Sequence, residues 1–417
     1  MTGRAPVAAA VPDVCDVAIV GGGMVGASLA LALEALPLKV VVIEAVPPED
    51  HNQPSFDERT TALSNGTRRI YAGLGTWDEI AREATPIRRI HVSDRGRFGS
   101  AVLDATEQGV PALGYVVGNR VIGAALWRRL GAARRTRLVT PAQVTALATD
   151  AAGVRLIVAA GGRTHSLAAR LVVAADGATS SVREAAGIGA ERWEYGQTAV
   201  IGSVSPARFH EHVAYERFTP TGPIAVLPAA DGRCVVVWTL APAAAARVIE
   251  LPDAGFLAEL QECFGWRLGR LLRSGRRHAY PLALTRSEAQ AGPRLAIIGN
   301  AAQGLHPIAG QGFNLGLRDA ATLAELIAGA GADPGAEPVL TEYARWRRSD
   351  REALIAFTDG LVRLFGSPFA PVQKARSAGL VLFDLCGPAK TAMARLSSGF
   401  AGRLPRLARG LPLVRAP

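Results

Sequence analysis

Long apolar runs are absent from this sequence. No apolar stretch reaches the length of about 18 residues that a membrane-crossing helix needs, because Glu34 and Lys39 interrupt the longest candidate. The first twelve residues also lack the apolar core of about 7–15 residues that marks a secretory signal. We therefore expect a cytoplasmic protein, which leaves peripheral contact with the inner face of a membrane open.

Cysteine is scarce, and neither cysteine nor histidine is spaced for metal binding. The chain has four cysteines and no C-x-x-C pair, which is typical of reduced thiols rather than of a disulfide framework or a zinc site. The seven histidines show no ligand spacing either. The sequence therefore predicts no metal centre.

Aromatic residues make up only 6% of the chain, which offers little for stacking on bases. No nucleic-acid-binding motif is recognisable, so we expect no nucleic-acid partner despite the formal net charge of +10. Acids are missing from the tail, residues 385–417, which holds six basic residues. Apolar positions in this tail recur at three and four residues, which predicts an amphipathic helix. Such a helix either docks on its own protein or contacts an anionic membrane surface.

What the sequence does contain is glycine in two organised loops. In the first, a short apolar strand signal leads into G-x-G-x-x-G, formed by Gly21, Gly23 and Gly26, and an apolar helix follows. A second strand signal ends in Glu44, 18 residues after Gly26. Glycines allow the tight turn and the close approach of a pyrophosphate, the helix start favours its charge, and the acid binds ribose hydroxyls. A solvated strand end would also explain Glu44, but its position favours a dinucleotide site.

The second loop, residues 299–316, lies between a buried strand signal at 295–298 and a helical pattern over 315–327. A strand, a glycine-rich loop and a helix N-terminus together form an anion site. This site would suit the negative charge that a reduced flavin carries near N1 and O2. Gly310 and Gly312 would let the backbone approach a flat ring. An ordinary strand–loop–helix crossover is the alternative.

A third buried strand signal ends in Asp176 and Gly177, whereas residues 198–281 contain short β-rich runs separated by turns. Because the dinucleotide-type strands occur on both sides of this β-rich block, the cofactor domain must be discontinuous. The predicted division is a cofactor domain of residues 1–85, 113–197 and 286–345, a mostly antiparallel β-rich substrate domain of 86–112 and 198–285, and a C-terminal helical region of 346–417.

These motifs resemble the flavoprotein aromatic hydroxylases of the p-hydroxybenzoate hydroxylase type. Within that group the chain looks like the ubiquinone-biosynthesis hydroxylases, and Asn-Ala-Ala-Gln followed by His-Pro-Ile-Ala-Gly-Gln-Gly-Phe-Asn is similar to the 2-polyprenyl-6-methoxyphenol hydroxylases. The other segments that carry this likeness are residues 56–63, 92–96, 216–219, 264–269, 280–285 and 349–352.

The resemblance implies an α/β fold in which a Rossmann-like FAD-binding domain of the GR2 type is interleaved with the antiparallel substrate sheet and followed by C-terminal helices. Asn300 stands where the family usually has aspartate, but its amide can still form hydrogen bonds with ribityl hydroxyls. In the segment that contains Arg120, Gly118 stands where the family commonly has glutamate. The predicted cofactor-binding residues are Gly21, Gly23, Gly26, Glu44, Arg59, Arg120, Asp176, Gly177, Gly299, Asn300, Gly312, Phe313 and Asn314. The predicted catalytic residues are His306, Pro307, Gly310 and Gln311.

The implied function is hydroxylation of a polyprenyl methoxyphenol in ubiquinone biosynthesis, through a C4a-hydroperoxide on tightly but non-covalently bound FAD. O₂ supplies the oxygen. NAD(P)H would be a transient reductant, since only one complete G-x-G-x-x-G is present. The base that draws off the phenol proton stays open among His306, Tyr280 and the acids of the β-rich block.

Three alternatives share the expected fold. A flavin halogenase is the first, which the lack of Trp-x-Trp-x-Ile disfavours. The second is another flavin enzyme, either a polyprenyl reductase or a different phenol hydroxylase. The third is a non-catalytic, flavin-stabilised subunit of a ubiquinone-biosynthesis complex.

Overall fold

The computed structural model describes residues 10–47, 53, 59–367 and 369–414. Residues 1–9, which bear on the expectation about a signal peptide, lie outside this part of the chain, as do residues 56–58 of the hydroxylase-like segment 56–63.

The first sheet joins a parallel core to an antiparallel meander. Its strand order is β18-β19-β11-β1-β2-β8, with β10 pairing β11 and β9. Apolar side chains cover both faces of the core strands, which suits a sheet buried on both sides. The strands are β1 (Val14–Val20), β2 (Val40–Ile43), β8 (Thr136–Val139), β9 (Ala142–Thr149), β10 (Val154–Ala160), β11 (Arg163–Ala174), β18 (Ala291–Gly292) and β19 (Leu295–Ile297).

The register of this sheet brings the predicted motifs to one edge. Val20, the last residue of β1, pairs with Ala174 of β11 and Ile43 of β2, and Ala174 also pairs with Ile297 of β19. Because these strands are parallel, the residues that follow them leave the sheet side by side. Ligands bind at such carboxyl ends of parallel strands. The residues at this edge are Gly21, Glu44, Asp176 and Gly299.

The second sheet is mostly antiparallel, in the order β20-β17-β12-β15-β14-β13-β5-β6, with β16 pairing β12. Only the β5–β13 pair within it is parallel among the described strands. Its strands are β5 (Arg89–Asp94), β6 (Ser100–Asp104), β12 (Ala190–Pro206), β13 (Val213–Thr219), β14 (Gly222–Pro228), β15 (Cys234–Leu240), β16 (Leu271–Ser274), β17 (His278–Ser287) and β20 (Gln303–Gly304). A small third sheet contains β3 (Thr60–Ser64), β4 (Thr85–Ile87) and β7 (Gly114–Gly118).

Helices cover the sheets and close the C-terminal end. The helix predicted after the first glycine loop is α1, and the one predicted after the second is α8; both are almost wholly buried. The helices are α1 (Met24–Leu33), α2 (Asn65–Gly73), α3 (Trp77–Ile80), α4 (Asn119–Gly131), α5 (Ser181–Ala185), α6 (Pro242–Glu250), α7 (Asp253–Phe264), α8 (Gln311–Gly329), α9 (Glu337–Gly366), α10 (Ala370–Leu385) and α11 (Gly387–Ser397).

These elements confirm the predicted fold class: a Rossmann-like part, an antiparallel sheet and C-terminal helices. The predicted domain boundaries stay a prediction. Strand β12 begins at Ala190, eight residues before the predicted boundary at 198, and runs through both parts of the chain. Within the described ranges, none of the helices combines the length and the hydropathy that a bilayer crossing requires. No cluster of three or more metal-binding side chains occurs in the same part of the chain.

The tail does not form one continuous amphipathic helix. Helix α11 ends at Ser397, and a short 3₁₀ turn, Leu407–Arg409, follows after an irregular segment. Leu407 and Leu413 are buried in the main core beside α2. Thus part of the apolar pattern packs on the protein itself. The residues in which the pattern was seen are Met393, Leu396, Phe400, Leu404 and Leu407.

Candidate active site

A cavity of about 1150 Å³ lies at the carboxyl edge of the first sheet. One end is formed by the two glycine-rich loops, and the other by a face of the second sheet together with α9, α10 and α11. Of the predicted site residues, those in the cavity wall are Gly21, Gly23, Glu44, Arg59, Asp176, Gly177, Gly299, Asn300, Pro307, Gly310, Gly312 and Phe313. Five others lie outside the wall: Gly26, Arg120, His306, Gln311 and Asn314.

The first loop can be built only with glycine at two positions. Gly21 has φ +103°, and a Cβ there would lie 2.3 Å from the Ala175 carbonyl oxygen. A Cβ on Gly26 would lie 2.0 Å from the carbonyl oxygen of Gly21. Gly26 therefore serves the close packing of helix on loop rather than the cavity wall. Gly23 caps α1 and faces the cavity, where the unpaired N–H groups of the first turn are available to an anion.

Glu44 is fixed beside this loop. One carboxylate oxygen, Oε2, accepts a hydrogen bond from the Gly22 N–H at 2.6 Å, and the other accepts from Val46 at 2.9 Å. The side chain is buried, and burial raises its pKa, which the backbone donors oppose. An acid held against the glycine loop at the cavity wall has the position that ribose binding requires.

Asp176 and Gly177 form a turn at the end of β11. The Asp176 carboxylate accepts hydrogen bonds from the Ser180 hydroxyl and, at 3.1 Å, from the Val182 N–H, so it caps the start of α5. Gly177 has φ +90°, a conformation that L side chains rarely adopt. Both residues remain in the cavity wall, and their contact with the cofactor stays a prediction.

A buried ion pair that the sequence did not predict stabilises the start of the second loop. Gly299, with φ +62°, donates its N–H to Asp319 Oδ2 at 3.1 Å, and Gln303 Nε2 donates to the same oxygen at 2.7 Å. The other oxygen, Oδ1, accepts from Arg347 Nε at 2.7 Å. The side chains of Asp319 and Arg347 are fully buried. Residues 319 and 347 lie on different helices, and no local pattern connects them.

Gly310 and Gly312 differ in what they require. Gly310 caps α8 in the left-handed conformation, φ +60°, and a Cβ there would lie 3.2 Å from the Ala62 Cβ. A Cβ on Gly312 would meet nothing closer than the Leu305 Cβ at 4.0 Å. Gly310 is thus demanded by the turn, whereas Gly312 leaves cavity space at the α8 N-terminus, where N–H groups have no partner within the helix.

Asn314 ties α8 to strand β3 and does not face the cavity. Its amide donates to the carbonyl oxygens of Ala62 and Gly310 at 2.9 and 2.8 Å. Its carbonyl oxygen accepts from the Ser64 N–H and the Thr67 hydroxyl at 2.8 and 2.7 Å. Asn314 therefore positions the loop that bears Gly310.

His306 and Gln311 were predicted to be catalytic, but the structure places both behind the loop. His306 is 1% exposed; its Nδ1 accepts from the Ile308 N–H at 3.2 Å, and Tyr195 packs against its ring edge-on. Burial lowers the pKa of His306 to about 4. Gln311 donates from Nε2 to the Ser397 carbonyl at 3.2 Å. These contacts are those of loop-packing residues, and any part in the reaction stays a prediction.

The two predicted arginines are placed differently. Arg59 lies in the wall, with its guanidinium 5.3 Å from the centre of the Tyr280 ring. Arg120 is exposed at the start of α4, outside the wall. Its neighbour Asn119 lies in the wall instead and accepts a hydrogen bond from the Thr61 hydroxyl at 2.7 Å.

The far end of the cavity is apolar. One face of the second sheet presents aliphatic and aromatic side chains to it, and the C-terminal helices close it. The sequence did not connect these helices with the cavity, because their contribution depends on the path of the chain after α8. The residues of α9 and α10 in the wall are Phe357, Leu361, Phe365, Leu380 and Phe383.

The residues present fit FAD. The backbone at Gly21 and Gly26 has no room for a Cβ, the N-termini of α1 and α8 meet one cavity, and Glu44 stands beside the first of them. A flavin bound there supplies electron transfer and oxygen activation. The chain would supply N–H donors for its negative charge and an apolar chamber beside it.

Comparison with known proteins agrees with this geometry. The profile of the FAD binding domain family matches residues 14–358. The chain is 41% identical to the ubiquinone hydroxylase UbiL of Rhodospirillum rubrum over 98% of this chain and 96% of that protein. It is 34% identical to the 3-demethoxyubiquinol 3-hydroxylase of Escherichia coli, over 90% and 96% of the two chains.

A solved structure shows the same fold. The p-nitrophenol 4-monooxygenase PnpA of Pseudomonas putida superposes with a TM-score of 0.77 at 20% identity, over 94% of this chain and all of that one. The predicted resemblance to the aromatic hydroxylases and the predicted FAD cofactor are thereby confirmed. This chain belongs to the FAD binding domain family, among its FAD-dependent monooxygenases.

Proposed function

We propose that this chain hydroxylates the phenol ring of a polyprenyl methoxyphenol in ubiquinone biosynthesis, using FAD, O₂ and NAD(P)H. The observation that carries this proposal is one cavity that joins the two glycine-rich loops to a large apolar chamber. Its relatives named as ubiquinone hydroxylases support the pathway. An isoprenoid chain suits the apolar end, because burying it there removes apolar surface from water.

The protein's part is to hold and orient. The N-terminus of α1 and the carboxylate of Glu44 would hold the adenosine half of the cofactor, and the N–H groups at the α8 N-terminus would stabilise the negative charge of the flavin. The Asp319–Arg347 pair fixes the turn at Gly299 between them. The apolar wall keeps water from the reacting ring, which protects oxygen transfer from unproductive decay.

The test is quinone profiling in a strain that lacks this protein. We expect a polyprenyl methoxyphenol to accumulate and complementation by the wild-type chain to remove it. Normal ubiquinone in that strain would refute the proposal. Complementation by a variant that binds FAD but cannot be reduced would instead favour the non-catalytic subunit. In the purified protein, O₂ consumption and dihydroxylated product with a prenylated phenol separate a hydroxylase from a reductase, which would oxidise NAD(P)H without consuming O₂.

We further propose that helix α10 rests on the lipid surface that holds this substrate. Its outward stripe is apolar: Leu382 and Leu385 are 67% and 78% exposed. Two of its charged side chains point inward, where Arg376 pairs with Asp94 at 2.7 Å and Asp384 accepts the Val102 N–H at 2.8 Å, whereas Lys374 is exposed. A helix with this inverted pattern is unsuited to water on its outer face.

The positive charge of this region favours an anionic membrane as the partner of the outer face of α10. Residues 361–417 contain nine lysines and arginines and one acid, Asp384; four of the nine, Arg363, Arg376, Lys390 and Arg403, pair with carboxylates of the chain, and the others supply the surplus positive charge. Each basic side chain near an anionic surface contributes about 1 kcal/mol. The same helix lines the cavity with Leu380 and Phe383, so a membrane on its outer face lies next to the substrate chamber. The tail remains a second candidate for this contact, although Leu407, one of its apolar positions, is buried in the core.

Sedimentation with phosphatidylglycerol vesicles tests the surface. Leu382→Gln with Leu385→Gln should abolish binding that is strong at low salt, whereas Val14→Gln, which changes an equally exposed apolar residue on β1, should leave it intact. Unchanged binding by the double variant would refute the assignment. Loss of co-purifying biosynthetic proteins without any vesicle binding would show that a protein complex covers the helix.

A further inference from the structure

Strand β13 places one carboxyl group in the apolar end of the cavity. Alternate residues of this strand, Ala214, Glu216 and Phe218, lie in the cavity wall. The residues paired with Glu216 on the neighbouring strands are Val92 and Ala225, and both lie in the wall as well. Glu216 is thus the acid of the described wall that stands outside the cofactor end.

Glu216 differs from the other acids of the cavity in having no partner within the described part of the chain. Glu44 accepts two backbone hydrogen bonds, and Asp176 caps α5. Across residues 10–47, 53, 59–367 and 369–414, no group forms a hydrogen bond or an ion pair with the Glu216 carboxyl. Since an unpaired carboxyl in an apolar wall is costly, a position like this is typical of a functional group.

The strand neighbours of Glu216 and the wall residues from α9 and α10 are apolar. Strands β5 and β14 contribute Val92 and Ala225, and α9 and α10 contribute only the apolar side chains named above. The cations of the described wall are engaged elsewhere: Arg59 lies over Tyr280, and Arg192 pairs with Glu194 at 2.6 Å. Burial, with no charged neighbour contributing, raises the pKa of Glu216 to about 7.

We propose that Glu216 is the catalytic base that accepts the proton of the substrate phenol, an inference that rests on the proposed function. The phenol O–H bond breaks, and a new O–H bond forms on the Glu216 carboxylate. The phenol oxygen keeps the electron pair of the broken bond, which makes the ring carbons more nucleophilic. After one atom of O₂ has bonded to a ring carbon, the proton of that carbon is lost and the phenol oxygen is protonated again.

The proton held by Glu216 leaves with the second oxygen atom in water. NAD(P)H supplies the two electrons, so the sum is phenol, O₂, NAD(P)H and H⁺ giving dihydroxybenzene, H₂O and NAD(P)⁺.

The geometry ranks Glu216 above the other candidates for this base. His306 lies behind the loop, where one ring nitrogen accepts the Ile308 N–H. The Tyr280 ring lies against Arg59 and is not in the cavity wall. A carboxyl that ionises near neutral pH is also the better proton acceptor there, because general-base efficiency is greatest when the pKa lies near the working pH.

The test compares Glu216→Gln with wild type, using a 2-prenylphenol as the probe. The variant should bind FAD and be reduced by NAD(P)H normally, because Glu216 lies outside the cofactor end. Dihydroxylated product should fall by about 10²–10⁴-fold, with H₂O₂ formed instead. Raising the pH toward the ionisation of the phenol itself should restore product, since a pre-formed phenolate needs no base. Glu191→Gln, an exposed carboxyl on β12, is the matched control.

Each result decides the question. Product within about twofold of wild type, or a loss that high pH does not restore, would overturn the assignment. Glu216→Asp, which keeps the carboxyl, replaces Gln if the amide variant fails to fold. An infrared titration of the wild type should show a protonated carboxyl that is lost near pH 7 and is missing in Glu216→Gln; its absence from wild type would refute the proposal independently of turnover. Wild type that does not hydroxylate the probe would refute the proposed function instead.

Discussion

Removing the guanidinium of Arg347 should damage both stability and cofactor binding. Arg347→Met keeps most of the side-chain volume but leaves the carboxylate of Asp319 without its buried partner. Both side chains are fully buried, and their atoms are 2.7 Å apart. Breaking such a pair by removing one member costs about 3–5 kcal/mol, mostly from the charge left behind.

The loss of the Asp319–Arg347 ion pair should also weaken the second glycine-rich loop, residues 299–316. Asp319 accepts the N–H groups of Gly299 and Gln303 on one oxygen, and hydrogen bonds to a charged group are worth about 1.5–3 kcal/mol each. If one such bond is lost when the carboxylate shifts or protonates, FAD affinity should fall by about 10–150-fold, since about 1.4 kcal/mol is a factor of ten.

Two measurements check this reasoning. Urea unfolding of the FAD-free protein gives the stability change, and fluorescence titration with FAD gives the affinity. The double variant Asp319→Asn with Arg347→Met should be less destabilised than the sum of the single changes, because the fully buried Asp319 carboxylate is no longer present; the loss of the second Arg347 contact, to Asp350, is common to the single and the double variant. Arg345→Met is the control: Arg345 is an exposed residue of α9 that pairs with Glu342 on the surface. Additive single effects, or unchanged FAD affinity in Arg347→Met, would refute the proposed coupling of the pair to the loop.

Three further predictions follow from the site. Purified protein should be yellow and release FAD, not FMN, on acid treatment. Gly23→Leu should yield colourless protein, which flavin absorbance measures once the variant has been shown to be as fully folded as wild type. Gly310→Ala should slow flavin reduction more than Gly312→Ala does, because the left-handed turn and the Ala62 contact are strained by a Cβ at 310; equal stopped-flow rates would contradict this. Because the pKa of Glu216 is about 7 in the folded protein against an ordinary value of 4.5, the folded state holds this proton more tightly, so its contribution to stability is present below pH 4.5 and is lost as the pH rises to about 7. Glu216→Gln should flatten that part of the pH–stability curve.

The glycine loops could be predicted because their residues act locally. Gly21, Glu44 and Gly299 each follow a strand in the chain, and parallel strands end at one edge, so a sequence pattern is enough to bring them together. The turn at Gly310 is of the same kind. Such motifs can be recognised in a sequence because the backbone conformation that they require restricts the residue type.

His306, Gln311 and Arg120 show where sequence proximity fails. All three stand next to residues of the cavity wall, yet the turn of the loop or the helix carries each side chain away from it. Asn119, one residue before Arg120, lies in the wall instead. The direction of a side chain depends on φ and ψ at its own position, and the sequence does not give these for an irregular loop.

Local sequence patterns are enough to predict the cofactor class, the fold class and the family, because glycine loops, strand patterns and motif spacing involve neighbouring residues. Three features depend on how the chain packs: the unpaired position of Glu216 among the described residues of the apolar wall, the support of the loop at Gly299 by Asp319 and Arg347, and the outward apolar stripe of α10. These features join segments up to 282 residues apart, as in the Arg376–Asp94 pair. Burial and partners are properties of the packed chain, and they determine both the cost of a charge and its chemistry.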